Sequence, residues 1–88
     1  MAEYRIEFLK TAEKELAKLP KDIQQRVRDR INLLIINPYP PDVKKLKNGN
    51  GNGRLRTRVG NYRIIYTIEN DSLVIVVIKI GHRSGIYN

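Results

Sequence analysis

The segment Arg54-Leu55-Arg56-Thr57-Arg58-Val59-Gly60-Asn61-Tyr62-Arg63-Ile64-Ile65-Tyr66 constrains this chain more than any other. Before Gly60-Asn61 the polarity alternates at every residue, the period of a β-strand, whose side chains leave by opposite faces in turn. Gly60-Asn61 between two strand-like runs is a two-residue hairpin signal. Such a turn sets Val59 opposite Tyr62, Arg58 opposite Arg63, Thr57 opposite Ile64, Arg56 opposite Ile65 and Leu55 opposite Tyr66. One face then carries Leu55, Val59, Tyr62, Ile64 and Tyr66 and reads as core. The other carries Arg54, Arg56, Arg58 and Arg63. Like charges facing each other in a sheet are destabilising, on the scale of about 0.2–1 kcal/mol for a cross-strand pair. Folding gains nothing from Arg58 beside Arg63, so a bound anion is the natural counterweight. The competing reading is a solvated face whose arginine stems cover apolar surface.

The rest of the chain builds a scaffold for that hairpin. Tyr4–Leu9 alternates tyrosine, isoleucine and phenylalanine with Arg5 and Glu7, which predicts a first strand. Thr11 is placed to cap a helix whose first turns hold Glu13 and Glu15 and whose apolar positions are Ala12, Leu16 and Leu19. Pro20 stops that run. A second helix is expected from Pro20–Asp22 to Ile36, with Ile23, Val27, Ile31, Leu34 and Ile35 along one stripe. Asn37-Pro38 ends it, and Pro38, Pro40 and Pro41 make an extended crossing. Arg54–Val59, Tyr62–Glu69 and Leu73–Ile80 are three strands, with a second turn at Asn70-Asp71-Ser72. The unbroken apolar run from Leu73 to Ile78 predicts a central strand covered on both faces. The expected fold is α+β: an N-terminal strand and a helical hairpin packed on an antiparallel sheet of about four strands.

Composition narrows the function. Eighty-eight residues allow a single domain, and 41% hydrophobic with 30% charged residues suits a folded one rather than a disordered chain. With no cysteine and one histidine, thiolate sites, disulfides and two-histidine metal centres are excluded, and no cofactor is expected. The apolar stretches Leu33–Ile36 and Leu73–Ile78 fall far short of the ~20 residues that span a bilayer. Met1-Ala2-Glu3-Tyr4 has no basic-then-apolar leader, so a cytoplasmic protein is expected. The net charge of +8 is unevenly spread. Residues 1–43 hold eight basic and seven acidic side chains, whereas residues 44–88 hold nine basic and two acidic ones. Positive charge gathered in one half points to an anionic partner, nucleic acid or an acidic protein.

Three further features sit near the basic hairpin. Lys44, Lys45 and Lys47 precede it and enlarge the positive surface. Asn48–Gly53 alternates glycine but lacks the Gly-Lys-Ser/Thr tail and following helix of a phosphate loop, so it reads as a linker. Ile80-Gly81-His82-Arg83-Ser84-Gly85-Ile86-Tyr87-Asn88 brings a histidine, an arginine and a tyrosine to the end of the last strand. His82 alone is more often structural than catalytic, and Tyr87 serves equally as an apolar plug or as a reactive phenol.

The hairpin together with the Gly81-His82-Arg83…Tyr87 ending resembles the RelE/ParE superfamily of bacterial and archaeal toxins. Leu19-Pro20 and Asn37-Pro38 fit the same pattern, and the resemblance covers essentially the whole chain. It implies a single toxin domain that enters the ribosomal A site and cuts mRNA, restrained by a cognate antitoxin. The family's basic hairpin positions correspond to Arg54, Arg56 and Arg63, and its closing positions to Arg83 and Tyr87. Several relatives carry lysine where this chain has Arg54 and Arg56.

The implied chemistry needs no metal, because the RNA's own 2′-hydroxyl can attack the adjacent phosphate. In-line positioning, stabilised phosphoryl oxygens, a base and an acid are required. Arg63 and Arg83 suit the phosphoryl charge, since guanidinium donates two parallel bonds to phosphate. Tyr87 is the candidate base; its reference pKa of about 10 would have to fall, the direction in which neighbouring arginines push. His82 is the candidate acid, because arginine gives up its proton too reluctantly. Arg54, Arg56, Arg58 and the lysines then hold RNA. Two other functions compete: inhibition of DNA gyrase, the superfamily's other branch, and RNA binding without catalysis.

Overall fold

The computed structural model describes residues 3–46 and 53–84. The chain runs β1 (Arg5–Phe8), α1 (Lys10–Ala17), α2 (Lys21–Ile36), β2 (Lys44–Lys45), β3 (Arg54–Val59), β4 (Tyr62–Glu69) and β5 (Val74–His82). It is the expected α+β arrangement, with two helices over one sheet. No helix among the described residues is long and apolar enough to cross a membrane.

Helix α1 begins two residues earlier than its sequence suggests. Leu9 occupies the N-cap position with no side-chain cap, so Thr11 lies inside the first turn and caps nothing. The helix presents Ala12 and Leu16 to the core. Gln24 stitches the two helices together, its side-chain amide donating to the carbonyls of Leu19 (2.9 Å) and Ala17 (3.2 Å). Those carbonyls would otherwise be orphaned at the end of α1. Along α2, Val27, Ile31 and Leu34 are buried, and Ile23 and Ile35 flank them half-buried. Beyond Asn37 the prolines lead the chain back over the core, where the phenol of fully buried Tyr66 donates to the Pro38 carbonyl at 2.7 Å.

The sheet holds five strands in the order β1-β5-β4-β3-β2, one more than expected. The addition is the two-residue β2, antiparallel to β3 with Lys44 opposite Arg56 and Lys45 opposite Leu55. Two exposed lysines carry no strand pattern, but they suit an edge, where charge discourages pairing with other chains. The sheet is also mixed, because β1 runs parallel to β5, Arg5 standing opposite Val74 and Phe8 opposite Val77.

The apolar run in β5 reflects burial on both faces, with Val74 5% and Ile75 0% exposed, together with a break in the alternation. Val77 pairs with Tyr66 while Lys79 pairs with Ile65, so β5 carries one extra residue, a β-bulge. The bulge switches the alternation, letting Ile75 and Val77 before it and Ile80 after it all reach the core. Val76, on the opposite face, is half-buried. Past the end of β1 the Ile80 N–H has no strand to pair with, and Glu15 of α1 accepts it at 2.9 Å.

Candidate nucleic-acid interface

The β3–β4 hairpin has the register read from its sequence, from Val59 opposite Tyr62 to Arg54 opposite Thr67. Gly60 adopts φ +59° while Asn61 does not enter the left-handed region, the pattern of a turn with glycine at its first central position. A side chain at Gly60 would be strained, and its Cβ would also lie 3.4 Å from the Arg26 guanidinium.

Pairing and alternation lay out the face opposite the helices as rows. One row reads Lys79, Ile65, Arg56 and Lys44 across β5, β4, β3 and β2. The next reads Gly81, Arg63 and Arg58. The row on the other side reads Glu7, Val76, Thr67 and Arg54, so Val76 and Thr67 separate the carboxylate from the arginine. Arg83 lies in the turn that follows β5, and its N–H donates to the Asn61 carbonyl at 2.8 Å.

Burial distinguishes the arginines. Arg56 is 5% exposed and Arg63 9%, while Arg54 is half-buried and Arg58 exposed. The ion pair found among the described residues, Arg30 with Asp42, involves neither buried arginine. The Arg63 Nε is buried with no hydrogen-bond partner. Removing a charged donor from water without a partner is costly. Arg58 and Arg63 are directly opposite as well, which adds repulsion to the unmet bond. An anion with several oxygens answers both deficits at once.

The outer edge of β3 is held by Asp42, a residue the sequence pattern did not single out. Its carboxylate accepts the Arg58 N–H at 2.9 Å and the buried Thr57 hydroxyl at 3.0 and 3.1 Å, and it pairs with Arg30 at 3.4 Å. Burial alone would raise its pKa. The Arg58 N–H, the Thr57 hydroxyl and the Arg30 charge outweigh that and hold it below the ordinary value. Asp42 thus does for β3 what a neighbouring strand would do.

The structure brings Arg54, Arg56, Arg58, Arg63 and Lys44 to one face, with Arg83 in the turn at the end of β5, and adds Lys79, hidden from sequence reading by the bulge. Lys45, opposite Leu55, belongs to the helix side. His82 also does: it pairs with Tyr62, and their rings meet edge-on with centroids 5.5 Å apart. Tyr66, the buried tyrosine of β4, is on the helix side too, its phenol pushed well above the ordinary value by burial and kept bonded to Pro38. Lys47, Tyr87 and most of the glycine-rich loop lie outside the described residues.

Similarity to known proteins supports the fold. Residues 6–87 match the family described as the ParE toxin of type II toxin–antitoxin system, parDE. Toxin RelE3 of Methanocaldococcus jannaschii is 33% identical over 88 residues, covering 96% of each chain. In the RelE–RelB complex of Pyrococcus horikoshii OT3, a chain 32% identical superposes with a TM-score of 0.80, over 97% of this chain and 99% of that one. In the RelBE2 toxin–antitoxin complex of Mycobacterium tuberculosis the figures are 29% identity and a TM-score of 0.80, over 92% and 99%. The chain belongs to the ParE-toxin family of type II toxin–antitoxin systems, on the RelE-like branch of the RelE/ParE superfamily.

Proposed function

We propose that this protein is a toxin that cuts mRNA on the ribosome, acting in the cytoplasm and restrained by a cognate antitoxin. The observation that carries the proposal is Arg63, buried on the sheet face with an unpartnered Nε and flanked by Arg56 and Arg58. A fold that keeps such a group unpaired is poised for a phosphate.

In the proposed reaction the phenolate of Tyr87 takes the proton of a ribose 2′-hydroxyl. That oxygen bonds to the adjacent phosphorus, and the bond from phosphorus to the 5′-oxygen breaks. The products are a 2′,3′-cyclic phosphate and a 5′-hydroxyl. Arg63 and Arg83 hold the phosphoryl oxygens as charge builds on them. Arg54, Arg56, Arg58 and Lys44 hold the flanking backbone, with Lys45 and Lys47 adding long-range attraction. The departing 5′-oxygen needs a proton that arginine does not release. His82 stands on the opposite side of the sheet by register, whereas Lys79 lies two pairs away from Arg63, in the adjacent row of the same side, and carries a transferable proton.

The antitoxin is expected to bring an acidic segment over the basic face, as charge complementarity favours. The two solved neighbours above are toxin–antitoxin complexes.

Toeprinting of a translated mRNA tests the nuclease. Wild type is expected to cut at A-site codons, and Tyr87→Phe and Arg83→Ala each to lose most of the cleavage while remaining folded. Unchanged cleavage by Tyr87→Phe removes the base assignment. No cleavage together with blocked gyrase supercoiling supports the gyrase branch, and neither activity leaves a basic binding module. Purification of the protein alone from its native host would count against the antitoxin.

A further inference from the structure

We propose that His82 is a positioning residue: through Nδ1 its neutral imidazole braces the turn that carries Arg83, and it donates no proton to the reaction. The activity arm of this inference rests on the nuclease reading; its structural arm does not.

The placement comes from the pairing at the end of the hairpin. The Arg83 N–H donates to Asn61 O, which makes Asn61 and Arg83 a hydrogen-bonded pair. The next pair, Tyr62 with His82, is then of the non-hydrogen-bonded kind, whose side chains approach most closely. Their rings lie at 82° to each other. Tyr62 shares its face with buried Ile64 and Tyr66, so the imidazole is on the helix side. A proton donor must come within about 2.6–3.2 Å of the leaving oxygen, or reach it through one water. The sheet itself stands between His82 and a phosphate held by Arg63.

The imidazole is already engaged. The Ser84 N–H points at Nδ1 from 3.2 Å, and Ser84 Oγ lies 2.8 Å from the same atom. A backbone N–H has a fixed direction, so Nδ1 must offer it a lone pair and the ring proton belongs on Nε2. A side chain that accepts the N–H two residues on has the geometry of an Asx turn. The residue enclosed by that turn is Arg83. Its own N–H is tied to Asn61 and the following N–H to His82, so the backbone that aims the guanidinium is held on both sides. The charged and titratable groups beside the ring are the Tyr62 phenol, across the pair, and Arg83, next in the chain.

Asparagine separates bracing from proton transfer. Its Oδ1 hangs from Cγ as Nδ1 does and can accept the Ser84 N–H, yet it does not titrate. His82→Asn is expected to cut ribosome-bound mRNA within about twofold of wild type and with an unchanged pH profile. His82→Ala and His82→Gln, which cannot make that bond, are expected to lose about tenfold or more through misaimed Arg83. In the wild type, imidazole ¹⁵N shifts should place the proton on Nε2. The Ser84 amide should exchange slowly in wild type and His82→Asn and faster in His82→Ala. A proton on Nδ1, equal Ser84 exchange in His82→Ala, or His82→Asn as inactive as His82→Ala would each overturn the inference. If the wild type cuts nothing, the nuclease reading fails by itself, and the ¹⁵N shifts and amide exchange alone decide the brace.

Discussion

Replacing Arg63 by methionine should make the protein more stable and abolish cleavage. Arg63 is 9% exposed, its Nε has no partner, and it faces Arg58 directly. An unmet buried donor costs about 1–3 kcal/mol. Relief of the like-charge pair adds about 0.2–1 kcal/mol. Methionine retains most of the apolar stem, so little packing is lost. A net gain of about 1–2 kcal/mol corresponds to a Tm rise of about 5–15 °C in a domain of this size. The assay is thermal unfolding followed by circular dichroism in a phosphate-free buffer of low ionic strength. Adding inorganic phosphate should raise the Tm of wild type and leave the Arg63→Met variant nearly unmoved, because a ligand stabilises only the state that binds it. A variant less stable than wild type in phosphate-free buffer would refute the reasoning, for then the guanidinium serves the fold rather than an absent anion.

Three other perturbations test the scaffold. Asp42→Ala strips the fully buried Thr57 hydroxyl and the Arg58 N–H of their acceptor and should cost about 2–4 kcal/mol, read from urea midpoints. The Asp42 carboxyl lies below its ordinary value when folded, so its contribution is complete above about pH 4 and lost as pH falls through the folded value. Wild type should therefore show an acid limb of destabilisation that Asp42→Ala lacks. Tyr66→Phe removes the bond to Pro38 and should cost about 1–2 kcal/mol. In wild type the Tyr66 phenol should stay un-ionised in alkaline ultraviolet titration until the protein unfolds, since burial, then Asp42 and Tyr39, raise its pKa against Arg30. Glu15→Ala should speed hydrogen exchange at the Ile80 amide and cost about 1 kcal/mol, and unaltered exchange there would show that Glu15 caps nothing.

What could be read before folding was local. The hairpin register follows from a two-residue loop and a period of two, and helix α2 from one apolar stripe ended by Asn37-Pro38, so both agree with the structure. Long-range pairing left no such trace. Nothing in Tyr4–Leu9 says that its neighbour is β5, or that the two run parallel. The bulge at Ile65/Tyr66 is written as a continuous apolar run, which double coverage would write identically. It also decides which way Lys79 points, so that residue was absent from the expected face. The face of His82 was hidden for the same reason: only the pairing with Tyr62 sets its ring on the helix side. Asp42 was missed because a lone aspartate in a proline-rich crossing looks like a solvated turn residue.

The parallel pairing of β1 with β5 bears on when this protein becomes dangerous. During synthesis the first strand emerges long before its sheet neighbour, and contacts so distant along the chain form late. Until β5 follows, β4 lacks one flank, Arg63 has no Gly81 beside it, and Arg83 has not emerged. The nascent chain therefore lacks the complete arginine face through most of its translation, and the surface that would meet an anion is assembled last.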